Sequence, residues 1–305
     1  MITKFTFYRF GILLTALFGL LPAVPAAQAT NNLKAIGLTQ DGMLARFTTG
    51  SGNTRDIGFI SGLQGDTSLI GIDFRVQDGL LYGVGNFGGL YTINLRNAVA
   101  TPVPAPVGPA LDVALAGTFF GVDFNPAANA LRIVSDTGQN LRHPFAGALQ
   151  GQTQNDAGTP AIGLRYPPVP PAAATPALGV TAAAYTNNDD AATGGTPTGT
   201  TLFDIDTVLD PNNPVDQTDV VVIQSPANSG NIVATGSLGV DAGPQAGFDI
   251  FSQLRKGVAV SNTAFASLFV NERYRLYNIN LLTGNAKLIG PFDDQVIDLA
   301  VRLKQ

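Results

Sequence analysis

Val296-Ile297-Asp298-Leu299, close to the C-terminus, repeats a pattern already met at Gly71-Ile72-Asp73-Phe74, Gly121-Val122-Asp123-Phe124 and Gly247-Phe248-Asp249-Ile250. Each internal copy is followed by further short apolar runs, as in Leu81-Tyr82-Gly83-Val84 and then Leu90-Tyr91-Thr92-Ile93-Asn94-Leu95. Runs rich in Val, Ile, Leu, Phe and Tyr, punctuated by Gly, Asn, Asp and Pro, read as antiparallel strands joined by turns. A single four-stranded meander cannot cover both faces of its own sheet, whereas several packed around an axis cover one another. The repeat therefore predicts an all-β propeller.

Extending each copy outward sets the blade boundaries. The second blade is expected over 71–107, the third over 120 to about 165, the fourth over 179–238 and the fifth over 246–291. Val296 to Arg302 matches a first, innermost strand that nothing follows. Conversely, Leu33–Leu38, Met43–Phe47 and Asp56–Ile60 match the second, third and fourth strands of a blade that lacks its first. Joining the two ends gives five four-stranded blades, closed by pairing of the C-terminal strand with the N-terminal blade. A sixth blade stays open as an alternative if the insert at 150–178 forms strands. Within that insert, Tyr166-Pro167-Pro168-Val169-Pro170-Pro171 predicts a stiff extended segment lying over one end or side of the ring.

Blade four breaks the pattern. Alignment puts Ala184 where the other copies carry Asp, and a polar loop from Thr186 to Thr200 follows at once. Loops of that length in compact folds are often functional or mobile.

Residues 1–29 read as an export signal. Lys4 and Arg9 precede an apolar run from Phe10 to Leu21, and Ala27-Gln28-Ala29 supplies a small-x-small cleavage pattern. The run is shorter than the roughly 20 residues that span a bilayer. Residues 30–305 are then expected to form one propeller domain, a monomer in the periplasm or outside the cell, with no transmembrane segment in the mature chain. There are no cysteines, which excludes disulfides, thiolate metal sites and lipidated Cys. The net charge is −5, and cleavage would deepen it by removing Lys4 and Arg9. An acidic chain without clustered Lys and Arg is unsuited to nucleic acid.

Gly121-Val122-Asp123-Phe124-Asn125-Pro126, the run from Leu131 through Ser135-Asp136-Thr137-Gly138-Gln139-Asn140 to Arg142, Ala182-Ala183-Ala184-Tyr185-Thr186-Asn187 and Gly236-Ser237-Leu238-Gly239-Val240-Asp241 resemble a bacterial exported family. That family is catalogued as domain of unknown function 4394, and the resemblance covers nearly all of the chain after residue 29. It implies a secreted, propeller-like domain without an assigned reaction, so it supplies no catalytic residues.

The chemistry-bearing residues fall into two groups. Asp73, Asp123, Asp249 and Asp298 are expected at equivalent places on the innermost strands. There they either hold a hard cation such as Ca²⁺ through oxygen ligands or accept backbone N–H groups from turns and neighbouring blades. Arg132, Asp136, Asn140 and Arg142 form the densest polar cluster, with Arg132 and Arg142 at the places of Tyr82 and Tyr91 in the preceding blade. With Tyr185 and Asn187 beside the gap at Ala184, they are the ligand-binding candidates. Two paired guanidinium groups either grip a carboxylate or phosphate, or neutralise the channel acids.

Other features point to structure. His143 is the only histidine and, preceding Pro144, reads as a solvent-facing turn residue. Asp189-Asp190 and Asp293-Asp294 read as solvated turns, and Gly194-Gly195 lacks the setting of a phosphate cradle. Tyr82, Tyr91, Phe124, Tyr185, Phe203, Phe248 and Tyr277 fall at expected core positions between blades, and without Trp an aromatic carbohydrate platform is not foreseen. The leading expectation is a binding or interaction module for a protein or small ligand. A Ca²⁺-dependent, lactonase-like hydrolase and a structural envelope or matrix component are the alternatives.

Overall fold

The computed structural model describes residues 32–158, 163–168, 173–189, 199–207 and 219–305. Residues 1–29, Pro170 and Pro171, Asp190 and Gly194-Gly195 lie outside them, so the expectations placed there stay at the level of sequence.

The regular elements of the described residues are all strands apart from one short 3₁₀ turn. Strands β1 (Lys34–Thr39), β2 (Met43–Thr48) and β3 (Arg55–Phe59) open it. Blade two contains β4 (Leu69–Phe74), β5 (Leu81–Gly85), β6 (Leu90–Ile93) and β7 (Ala100–Pro102). Blade three contains β8 (Phe120–Asn125), β9 (Ala130–Ser135), β10 (Asn140–Pro144) and β11 (Gln154–Asn155). A two-stranded ribbon, β12 (Arg165–Tyr166) with β13 (Thr175–Pro176), follows. Blade four is β14 (Val180–Tyr185), β15 (Leu202–Asp206), β16 (Val220–Gln224) and β17 (Ile232–Ser237). Blade five is β18 (Ala246–Arg255), β19 (Val258–Val270), β20 (Arg273–Ile279) and β21 (Ala286–Pro291).

The last strand, β22 (Val296–Val301), pairs antiparallel with β1, so the order in blade one is β22-β1-β2-β3. The five four-stranded sheets form a five-bladed β-propeller closed between its ends. The insert between blades three and four makes a ribbon and not a sixth blade. It packs on the seam it interrupts, because Arg165 bridges to Asn231 of blade four and the N–H of Leu164 donates to Gly138 of blade three.

The inner strands contact one another in the order β22, β4, β8, β14, β18 and back to β22. Their packing explains the repeated glycine. A Cβ on Gly121 would lie 2.5 Å from the backbone N of Ala183, and one on Gly247 would lie 2.5 Å from Cα of Asp298. Neighbouring inner strands therefore pass too close for a side chain at those points. Farther out, apolar side chains interlock between blades: Tyr82, Phe124 and Phe145 stack edge to face between blades two and three. Phe203, Phe248 and Tyr277 fill the seam between blades four and five. All seven aromatics assigned to the core are buried. At roughly 1.5–3 kcal/mol for each large apolar side chain fully buried, these seams supply the main stabilisation in a chain without disulfides.

Candidate functional site

Each repeated Asp lies within an inner strand, and its side chain turns toward the next blade. Asp73 Oδ2 accepts the N–H of Phe124 at 2.7 Å, and Asp123 Oδ1 accepts that of Tyr185 at 2.9 Å. Asp249 Oδ2 accepts the N–H of Val301 at 2.5 Å, and Asp298 Oδ2 that of Ile72 at 2.8 Å. Four of the five blade seams are thus clasped by a carboxylate. Three of these residues also accept the N–H of the residue that follows, namely Phe74, Ile250 and Leu299. The seam from blade four to blade five, where Ala184 replaces Asp, has a different clasp. The N–H of Asn187 donates to Ser252 Oγ at 2.6 Å, and Ser252 in turn donates to Asn262 Oδ1 at 2.6 Å.

The four acids are not equivalent. Asp73, Asp123 and Asp249 bring carboxylate oxygens within 4.8 Å of one another. Asp298 belongs to a different level. Its donor, Ile72, precedes Asp73, whereas the donors to Asp73 and Asp123 follow the corresponding position in their own blades. Asp298 Oδ2 accordingly lies beside Gly71.

Burial, followed by repulsion from Asp249 and Asp298, holds the Asp73 carboxyl well above its ordinary range. Burial and the charges of Asp73 and Asp249 do the same to Asp123. Burial pushes Asp249 up to about 7 and raises Asp298 well above its ordinary value, with Asp249 adding to the latter. Among the described residues no Lys or Arg forms an ion pair with any of the four. Asn187 and Asn188 line the same mouth of the central channel as the three clustered acids.

The polar cluster of blade three is elsewhere, within the seam facing blade four. Arg132 is fully buried, and all three of its guanidinium nitrogens donate: Nε to Tyr185 Oη at 3.2 Å, Nη1 to Asn140 Oδ1 at 2.8 Å, and Nη2 to Asn228 Oδ1 at 2.7 Å. Arg132 and Arg142 share Asp156 at 3.0 and 3.1 Å. Arg132, Asn140, Arg142 and Tyr185 are therefore brought together. Asp136 is apart from them, accepting the N–H of Thr118 near the start of β8, and Asn187 belongs to the axial mouth.

Strand register corrects two expectations. Arg132 faces Asp123 as Tyr82 faces Asp73, but Arg142 pairs with Arg132 as Thr92 pairs with Tyr82, so Arg142 takes the place of Thr92 and not Tyr91. His143 is not a solvent-facing turn residue. It lies buried on β10, with Nδ1 at 2.9 Å from Thr153 Oγ1 and Nε2 at 3.3 Å from the Val107 carbonyl, because β10 continues through Pro144. Asp293 and Asp294 form a turn tied to Thr54 of blade one. Asp189 is not a solvated turn residue: it is buried, its N–H donates to Asn187 Oδ1 at 2.8 Å and its Oδ1 accepts Asn187 Nδ2 at 2.7 Å, because the chain after β14 folds back on itself there.

Asp204 is the residue that the motifs missed. It is fully buried on β15 and, among the described residues, neither carboxylate oxygen has a hydrogen-bond partner. Burial raises its pKa well above the ordinary value, and Arg132 partly opposes the shift. The signal in the sequence was the parity of Leu202-Phe203-Asp204-Ile205-Asp206, which places two acids on one face of a buried strand. Tyr166 of the inserted ribbon donates to Asp206 Oδ2 at 2.8 Å and covers that face.

A closed five-bladed β-propeller with an acidic axial mouth defines the class. The family model described as "Domain of unknown function (DUF4394)" matches residues 43–300, and the chain belongs to that family. Among solved structures, a chain of the crystal structure of a nidogen/laminin complex is 10% identical with a TM-score of 0.44, the match covering 89% of this chain and 99% of that one. The computationally designed Ika8 protein is 13% identical with a TM-score of 0.31, over 87% of this chain and 60% of that one. Likenesses this remote transfer no role. No curated protein matches.

Proposed function

We propose that this protein is an exported binding module whose working face is the end of the ring at the C-terminal ends of the inner strands, centred on a hard cation, Ca²⁺, bound by Asp73, Asp123 and Asp249. The observation that carries this reading is the convergence of three buried carboxylates within 4.8 Å without a basic partner. Five backbone N–H groups, from Phe74, Phe124, Tyr185, Ile250 and Val301, point at these carboxylates and favour their ionised form. Hydrogen bonds from neutral donors do not cancel three negative charges. A cation with oxygen ligands does, and Asn187 and Asn188 line the same mouth.

The same end carries the long β18–β19 hairpin of blade five. A charged centre beside a projecting hairpin suits recognition of a protein or small ligand. Export rests on the character of residues 1–29, and Arg132 with its partners serves as a brace between blades. Titration calorimetry of the EDTA-treated chain with Ca²⁺ tests the reading. One binding event, abolished in Asp123→Asn and retained in Asp136→Asn, is expected; the absence of heat from the parent, or equal binding by Asp123→Asn, contradicts it.

A further inference from the structure

Blade five departs from the other blades at its β18–β19 hairpin. These strands have 10 and 13 residues, against 6 in each of the other four inner strands. Pairing of β19 with β20 begins at Ala264, so residues 258–263 pair only with β18 and the hairpin leaves the sheet as a two-stranded arm. Beyond the buried Ser252, three exposed residues carry its tip about 10 Å outward. The tip is a tight two-residue turn, with Lys256 at φ 55° and Gly257 at φ 78°, which holds the strands together.

The arm gathers exposed aliphatic side chains close to one another. Leu254, Val258 and Val260 are 41%, 46% and 55% exposed, and Leu282, in the groove at the base of the arm, is 85% exposed. From Asp249 to Glu272 the only charged residues between the two acids are Arg255 and Lys256, in a chain of net charge −5. An aliphatic tip with two basic residues thus projects from an acidic body.

We propose that this arm docks the ring onto a bilayer surface rich in anionic headgroups. The aliphatic side chains enter the interface while Arg255 and Lys256 meet the headgroup phosphates. An acidic body is repelled by such a surface. An arm about 10 Å long holds the body off by more than the screening length of about 8 Å at physiological salt, leaving attraction at the tip dominant. Addition of a partner strand fits the arm less well, because a register shift between Gln253 and Leu254 leaves Val260 as an extra residue and interrupts the ladder. The inference does not depend on a cation at the axis.

Sedimentation with lipid vesicles tests it, using a chain that begins at Thr30. That chain contains every described strand and lacks the apolar N-terminal run that would itself enter lipid. Binding to phosphatidylcholine vesicles containing phosphatidylglycerol is expected to exceed binding to phosphatidylcholine alone by at least about fivefold at physiological salt, where the arm outreaches the screening length, and to fall as salt rises further. Val258→Asp with Val260→Asp should remove it, and Arg255→Ser with Lys256→Ser should reduce it to the level of neutral vesicles. The second pair changes only exposed tip residues and stays informative if the first disturbs folding. No sedimentation with either vesicle, equal sedimentation with both, or undiminished binding by the Arg255/Lys256 variant overturns the proposal, the first of these in favour of a protein partner.

Discussion

Val301 and Asp249 meet where the ring closes: the N–H of Val301 donates to Asp249 Oδ2 at 2.5 Å, joining the C-terminal strand to blade five while β1 pairs along its other side. The last strand is therefore held from two directions by groups far from it in sequence.

Deleting residues 296–305 should remove both attachments. Val296, Leu299, Ala300 and Val301 are buried, and at roughly 1.5–3 kcal/mol for each large apolar side chain the loss should reach on the order of 5 kcal/mol or more. Urea unfolding with a dye for exposed apolar surface measures it; a truncated chain that unfolds at the parent's midpoint would show that closure is not structural.

Completing the Asp series should harm the ring. Ala184 is fully buried against the seam with blade five, and the N–H of Ile250, the donor that an Asp there would seek, is already bonded to Asp249 Oδ1. Ala184→Asp is expected to cost on the order of 3 kcal/mol in chemical denaturation, as an unpaired buried charge does. A stabilised variant would mean that the gap at blade four is drift.

Arg132→Ala should destabilise by about 3–5 kcal/mol, because it leaves Asp156, Asn140 and Asn228 facing a hole in a buried network. Arg142→Ala should cost far less, since Arg142 is more exposed and its bond to Asp156 is shared with Arg132. Equal losses in the two variants would argue against Arg132 as the brace of this seam.

The axial acids set a direction for pH dependence. Asp249 rises from an ordinary 3.8 to about 7 on folding, and Asp73, Asp123 and Asp298 also move up. The folded state therefore binds protons more tightly than the unfolded chain, so in EDTA stability should fall as pH rises from about 4 through about 7. Cation and proton compete for the same oxygens, so the gain from Ca²⁺ should grow over that interval. Melting curves at pH 5 and pH 8, with EDTA and with Ca²⁺, separate the two effects; an EDTA-treated chain more stable at pH 8 would reverse the expected sign.

Much of this architecture was legible before any coordinates. The repeats around Asp73, Asp123, Asp249 and Asp298 marked the inner strands, and the unpaired fragments at 33–60 and 296–302 marked the closure. What the repeat could not show was the axial level of each acid. Asp298 follows an Ile as Asp73 does, yet it clasps Ile72 because β22 sits differently against its neighbours, and strand displacement along an axis is not written in the residue types around the Asp. His143 was misplaced for a related reason: a His-Pro pair suggests a turn, but β10 runs through Pro144. Asp204 was overlooked because it belongs to no repeated motif, and its meaning depends on Arg132 from the neighbouring blade.

The central claim is that Asp73, Asp123 and Asp249 hold a cation, and melting of the parent and Asp123→Asn at pH 8, each in EDTA and in excess Ca²⁺, tests it most directly. The parent should gain about 2.7 kcal/mol at a hundredfold excess over its dissociation constant. Asp123→Asn, with one charge fewer, should be more stable than the parent in EDTA and unmoved by Ca²⁺. A parent with the same midpoint in EDTA and in Ca²⁺ would contradict the account and leave the carboxylates as clasps alone.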